Sequence, residues 1–233
     1  MRILSIDTST PAGSVAISDG DRLLAQEQQG VAGTHADRLL ASVDHLLHIC
    51  GLEQEDIEAV AVAIGPGSFT GLRIGLATAK GFCLARGLPV AGVSSLASLA
   101  LNGREFSGTV VSLIDARRGE IYAAAWSASA RGKMRPVMKE CVAAPAAVAA
   151  MLKKLKGELL LVGDGAIEYG AALLKSIGKR ARMAYGTQLL PQAANLAELA
   201  RPRLENGRCD DLASLVPNYV RRSDAEIGFM GKK

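Results

Sequence analysis

Apolar and polar positions along the chain change period at regular intervals. Short alternating or continuous apolar runs at 2–6, 14–18 and 22–28 predict three antiparallel strands, separated by Pro11-Ala12-Gly13 and by the hairpin signal Asp19-Gly20-Asp21. A helix is predicted from Thr34 as N-cap, with Ala36, Leu39, Leu40, Val43, Leu46, Leu47 and Cys50 at helical spacing and Gly51 as its stop. Residues 59–64 read as a buried strand. After Gly65-Pro66-Gly67 a second helix runs from about Phe69 to Arg86 and stops at Gly87, before a strand at 89–93 and a short helix at 95–101.

The rest of the chain repeats that order: strands near 109–114, 120–126 and 133–141, helix 145–156, strand 158–162, helix 166–177, strand 182–185, helix 192–206. Both halves open with a strand ending Ile-Asp, at Ile6-Asp7 and Ile114-Asp115. Parallel neighbours need crossover helices and hairpins do not, so the echo predicts an α/β protein of two similar lobes, each with a mixed sheet and flanking helices. The expected division is an N-terminal lobe over 1–103, a C-terminal lobe over 104–220 and a charged, mobile tail over 221–233.

Composition narrows the function classes. Aromatics are 4% of the 233 residues, too few for platforms that stack bases. The formal charge of +4 is modest. Its basic residues are scattered apart from small groups such as Lys153-Lys154 with Lys156, Arg221-Arg222 and Lys232-Lys233, which read as solvated faces or as a nucleic-acid footprint. Cys50, Cys83, Cys141 and Cys209 lie far apart with no CxxC pair, as reduced structural thiols do. The N-terminus meets Arg2 and Asp7 too early for a signal peptide and no apolar run approaches a membrane span, so a cytoplasmic location is expected.

Three segments together resemble a known family: ILSIDTSTPAGSVAI from Ile3, AIGPGSFTGLRIGLA from Ala63 and VSLIDARRGEIY from Val111. They are similar to TsaB, also called YeaZ, and GPGSFTGLRIG is the most specific stretch. After about residue 130 only general features such as Gly163-Asp164-Gly165 and Val216-Pro217-Asn218-Tyr219 agree. The resemblance implies the two-lobed fold shared by actin, sugar kinases and Hsp70, of the ribonuclease H-like type. It implies a non-catalytic role in placing a threonylcarbamoyl group on adenosine 37 of tRNAs reading ANN codons. The implied partners are the catalytic paralogue TsaD and the ATPase TsaE, with a homodimer when the chain is alone and tRNA contact indirect or weak. No cofactor is implied for this chain itself, ATP or ADP entering only in the complex.

Where TsaD-like sequences carry two metal-holding histidines four apart, the matching positions here are Ser95 and Leu99, and Leu99 has no donor atom. His45 and His48 share a helix region and read as a solvated face or a weak metal pair. Asp7, Thr8 and Ser9 in one lobe and Asp115, Arg117 and Arg118 in the other stand where the superfamily places phosphate loops and a magnesium-associated carboxylate. The aspartates are either the remains of a nucleotide cleft or structural hairpin residues, and Arg117-Arg118 either bind phosphate or pair with acids such as Glu120. Gly65-Pro66-Gly67-Ser68 reads as a phosphate cradle or a tight turn, and Gly163 and Gly165 as an adenosine contact or an ordinary turn. Ser68 and Thr70 have no histidine nearby in sequence to make a nucleophile.

The second helix is apolar on nearly all sides, so more than one of its faces must be covered. Gly71, Gly75 and Ala79 form a flat ridge that packs either on the chain's own sheet or on a partner helix. The partner reading assigns Ala36, Leu39, Leu40, Val43 and Leu47 of the first helix. It also assigns Thr70, Gly71, Leu72, Ile74, Gly75, Thr78, Ala79 and Phe82 of the second. The rival reading is an ATPase or kinase using Asp7 and Asp115, and a third is a tRNA-docking subunit using Lys153, Lys154, Arg221 and Arg222.

Overall fold

The computed structural model describes residues 1–29, 35–128 and 134–220. The expected N-cap Thr34, the side chain of Ala36, and Arg221, Arg222 and the rest of the tail lie outside the described residues.

The first half forms β1 (Arg2–Asp7), β2 (Gly13–Asp19), β3 (Arg22–Gln29), α1 (His35–Cys50), β4 (Ala59–Gly65), α2 (Phe69–Arg86), β5 (Val90–Ser94) and α3 (Ser95–Ala100). The second half repeats it as β6 (Thr109–Asp115), β7 (Ile121–Ala128), β8 (Met134–Ala143), α4 (Pro145–Lys153), β9 (Leu159–Val162), α5 (Asp164–Ile177), β10 (Ala181–Met183) and α6 (Ala193–Glu205). The two sheets run β3-β2-β1-β4-β5 and β8-β7-β6-β9-β10, so the strand orders coincide once the halves are superposed. In each, the opening hairpins are antiparallel and the two later strands join in parallel through helical crossovers.

Side chains alternate across a strand, and here the alternation sorts them by size. On β4, Val60 and Val62 face one side with Leu4, Ile6, Val15 and Ile17, under Leu39, Val43, Leu46 and Leu47 of α1 and Leu76, Ala79 and Cys83 of α2. Ala59, Ala61 and Ala63 face the other side with Ala91. Those small residues let a helix lie close, and the helix is α6, through Leu196, Ala197, Ala200 and Leu204.

The second sheet is layered in the same way. Val111, Leu113, Leu159 and Leu161 pack under α4 and α5. Val110, Ile114, Leu160 and Val162 pack against Leu96, Leu99 and Ala100 of α3. Thus the helix that ends each half covers the sheet of the other half. Each buried Leu, Ile or Val contributes about 1.5–3 kcal/mol, so several large side chains on both exchanged helices tie the lobes into one body.

Amide side chains reinforce the crossing. Gln28 donates to the Pro191 carbonyl at 2.6 Å, the Ala194 amide donates to Gln26 at 3.0 Å, and Asn195 donates to the Ser98 carbonyl at 3.0 Å and to Asn102 at 2.7 Å. After α6 the chain runs along the β5 edge, where the Asp210 amide donates to the Val90 carbonyl at 2.8 Å and its carboxylate accepts from Gly92 at 2.7 Å.

Candidate functional site

The C-terminal ends of β1 and β6 point into one cleft of about 570 Å³, lined from the first lobe by Ser9, Thr10, Ser68, Phe69 and Arg73 and from the second by Asp115, Arg117, Arg118, Tyr122 and Asp164. Asp7 closes β1 and is buried. Its carboxylate accepts from the Ser9 amide at 3.0 Å and from the Ser9 hydroxyl at 2.6 Å, an Asx-type turn built on its own loop.

The loop that read as phosphate cradle or tight turn packs against the Ser9 turn on one side, while Gly67, Ser68 and Thr70 line the cleft on the other. The Ser68 amide donates to the Ser9 carbonyl at 2.7 Å, and the Ser68 hydroxyl caps α2 by accepting from the Gly71 amide at 3.2 Å. A Cβ at Gly67 would fall under 3.0 Å from the Ser9 carbonyl oxygen, so glycine is what lets the two turns touch. The turn therefore spends two of its amides on internal bonds.

The second lobe repeats the contact. Gly163 has φ +101°, and a Cβ there would fall under 3.0 Å from both the Leu113 carbonyl oxygen and the Leu99 side chain. Ser95 and Leu99, the two positions that the family resemblance singled out, are both buried, and Leu99 packs in the core under the second sheet. Among the described residues no three His, Cys, Asp or Glu side chains gather as a metal site would need. His45 instead meets Glu27, with Nδ1 at 3.1 Å from the carboxylate.

Around Asp115 the cleft is strongly ordered. Its carboxylate accepts from the Arg117 amide at 2.8 Å and from the Tyr169 hydroxyl at 3.1 Å, and pairs with the Arg117 guanidinium at 3.3 Å. Arg117 and Arg118 take left-handed backbone angles, φ 61° and 56°, unusual for side chains of this size. Asp164, the first residue of α5, accepts from the Asp115 amide at 3.2 Å. Burial pushes the Asp164 carboxyl up to about 6, with the Asp115 charge adding to the rise and the Asp115 amide and the Arg117 charge opposing it. That leaves a second acid able to hold a proton beside Asp115.

At the mouth, Phe69 stacks on Tyr219 with ring centroids 4.9 Å apart. Arg73 lies 3.8 Å over the Phe69 ring and donates to the Tyr219 hydroxyl at 3.1 Å. Asn218 is held by its amide donating to the Ile64 carbonyl at 2.6 Å, which delivers Tyr219 to this point. Sequence reasoning missed Tyr219, Phe69, Arg73, Asp164 and Tyr169 as cleft residues. Phe69 and Arg73 stood in the GPGSFTGLRIG stretch, Asp164 in Gly163-Asp164-Gly165 and Tyr219 in Val216-Pro217-Asn218-Tyr219, but nothing local announces that residue 219 meets residue 69.

The glycine ridge faces inward. A Cβ at Gly71 would fall under 3.0 Å from the Thr8 carbonyl oxygen and one at Gly75 equally close to the Thr8 hydroxyl, which donates to the Gly71 carbonyl at 2.8 Å. Leu39, Val43, Leu47, Gly71, Leu72, Gly75 and Ala79, assigned to a partner by one of the two readings, are buried within the chain. The outward face consists of Leu40, 60% exposed, Leu84, 77% exposed, the exposed Thr70, Ala77 and Gly81, and the half-buried Ile74, Thr78 and Phe82.

A family model described as "TsaD: tRNA N6-adenosine threonylcarbamoyltransferase" matches residues 24–229. The tRNA threonylcarbamoyladenosine biosynthesis protein TsaB of Bacillus subtilis (strain 168) is 31% identical over 230 residues, 99% of this chain and 98% of that protein. The protein of the same name from Escherichia coli (strain K12) is 33% identical over 237 residues, covering all of both. YeaZ from Pseudomonas aeruginosa superposes with a TM-score of 0.77 at 29% identity, over 94% of this chain and 99% of that one. The ROK hexokinase of Thermus thermophilus, at 14% identity, superposes with a TM-score of 0.50 over 89% of this chain and all of that one, a likeness of fold alone.

Proposed function

Because the chain belongs to the TsaB family of tRNA threonylcarbamoyladenosine biosynthesis proteins, we propose that it is a non-catalytic subunit that binds and orders a TsaD-type catalytic paralogue. With a TsaE-type ATPase, the pair forms the threonylcarbamoyl group on adenosine 37 of tRNAs reading ANN codons in the cytoplasm. In the absence of the paralogue the same face pairs two copies of this chain.

The observation that carries the reading is the outward face of α1 and α2. Leu40 on α1 and Leu84 on α2 stand in water, and α2 also bares the backbone of Gly81, which costs about 1 kcal/mol relative to Ala in a helix interior. A partner helix laid across Ala77 and Gly81 offsets that cost by close packing. The cleft supports the non-catalytic part: Leu99 packs where the resemblance places a histidine in the paralogue, and the Ser68 amide at the start of α2 is spent on the Ser9 carbonyl.

The test is reconstitution of the modification from this chain, the paralogue, TsaE, tRNA and threonylcarbamoyl adenylate, omitting each in turn. Leu40→Glu with Leu84→Glu is expected to abolish co-elution with the paralogue while the isolated chain keeps its fold. Full modification without this chain, or unchanged co-elution of the double variant, refutes the proposal. Phosphate release from ATP by the isolated chain, lost in Asp7→Ala, would instead support the rival ATPase reading.

A further inference from the structure

At the end of the second lobe farthest from the cleft, two helix C-termini are drawn together by one arginine. Arg180 donates to the carbonyls of Leu152 at 2.7 Å, Leu155 at 2.5 Å and Gly157 at 3.2 Å, so the end of α4 is pinned to the segment that follows α5. Around that anchor lie five exposed lysines, Lys153, Lys154, Lys156, Lys175 and Lys179. Residues 152–158 and 175–182 together carry seven basic side chains and one acid, Glu158, which is already paired with Arg182.

The five lysines have no acidic partner among the described residues, whereas elsewhere Arg2 meets Asp56, Arg104 meets Glu198, Arg201 meets Asp21 and Arg203 meets Asp210. Lys153 and Lys175 sit in the last turns of α4 and α5, where positive charge complements the helix dipole. That accounts for two of them. Lys154, Lys156 and Lys179 lie past the helix ends, where the dipole does not require them.

We infer that this pole docks the phosphate backbone of RNA. Like charges gathered this closely repel one another, and a polyanion both removes the repulsion and releases its own counterions. Neither segment contains an aromatic residue or an exposed large apolar side chain, and the half-buried Phe106 ring nearby lies under the Arg182 guanidinium, 5.0 Å from its centroid, so the surface suits phosphate contact rather than base stacking or insertion into a lipid surface. α5 begins beside Asp115 and runs 14 residues, which puts the lysines roughly 20 Å from the cleft. They belong to the other lobe from the outward face of α1 and α2, so RNA and a protein partner can be held together. The choice of RNA over another polyanion rests on the proposed role in tRNA modification.

The test is an anisotropy titration of a labelled, unmodified tRNA transcript with the full chain between 50 and 200 mM KCl, without any other protein. Five phosphate contacts predict a log–log salt slope of about −3.5 to −4.5. Replacing Lys153, Lys154 and Lys156 together by Gln is expected to reduce the slope by about 2–3 and to weaken binding, while Lys139→Gln on the exposed part of β8 leaves both unchanged. The inference is overturned if the parent does not bind at 50 mM KCl, if the triple variant keeps the parent slope, or if phosphatidylserine vesicles are bound more tightly than the transcript. Since the titration needs no paralogue, failure of the partner proposal does not move its outcome.

Discussion

Replacing Gly71 by Ala is expected to destabilise the chain by about 2–3 kcal/mol, whereas the same change at Gly81, ten residues along α2, is expected to stabilise it by about 1 kcal/mol. At Gly71 the added carbon meets the backbone carbonyl of Thr8, which cannot rotate away as a side chain would. Thr8 is itself fixed, by its hydroxyl on the Gly71 carbonyl and by its neighbour Ser9, which bonds to Asp7 and accepts from Ser68. Overpacking of this kind costs about 1–3 kcal/mol. Parting the turn from the helix loses one or two hydrogen bonds of about 1 kcal/mol each. Against this stands the gain of about 1 kcal/mol in helix propensity. At Gly81 nothing lies within 4 Å of the added carbon, so only the gain remains. Urea unfolding followed by far-ultraviolet circular dichroism should show the two midpoints moving in opposite directions. A Gly71→Ala midpoint at or above the parent value would mean that the glycine ridge is open, and the inward packing of α2 would have to be abandoned.

Two further outcomes follow from the buried titratable groups. The Asp164 carboxyl is raised from 3.8 to about 6, so the folded state holds its proton where the unfolded chain has lost it, and stability falls as pH rises through that window. Asp164→Asn should therefore be stabilised relative to the parent by at most about 3 kcal/mol at pH 7.5 and by about 0.5 kcal/mol at pH 4, measured by urea unfolding; a gain that does not grow with pH refutes the assignment. Cys83 is fully buried in α2 and its thiol is pushed up to about 11 by burial, while Cys209 is exposed. Iodoacetamide at pH 8 should label Cys209 in the native chain and Cys83 only after unfolding, which peptide mass mapping reads directly.

Much of the architecture was legible because it is written in local periods. The run from Ala59 to Ile64 announced a buried strand, Asp19-Gly20 a hairpin, and Gly51 and Gly87 the ends of α1 and α2, where both glycines take left-handed angles. The repetition from Ile6-Asp7 to Ile114-Asp115 announced two lobes of the same order, and the matching strand orders agree with it. The cleft was legible in part. Asp7, Ser9, Asp115, Arg117 and Arg118 all line or flank it, but Tyr219 and Arg73, though inside segments that carry the family resemblance, have no local signal that they meet at its mouth.

From the order of residues alone came the duplicated lobes, the hairpin aspartates at the cleft and the motifs that ally this chain with its relatives. Which surfaces cover which did not come from there. That α3 lies on the second sheet and α6 on the first, and that Gly71 and Gly75 turn toward Thr8 and not toward a neighbour, are outcomes of three-dimensional fit. The reason is that apolar burial has no direction: a helix spaced to hide one face is satisfied by any surface of matching shape. The shape is settled by contacts between residues far apart in the chain, such as the alanine face of β4 and β5 that admits α6.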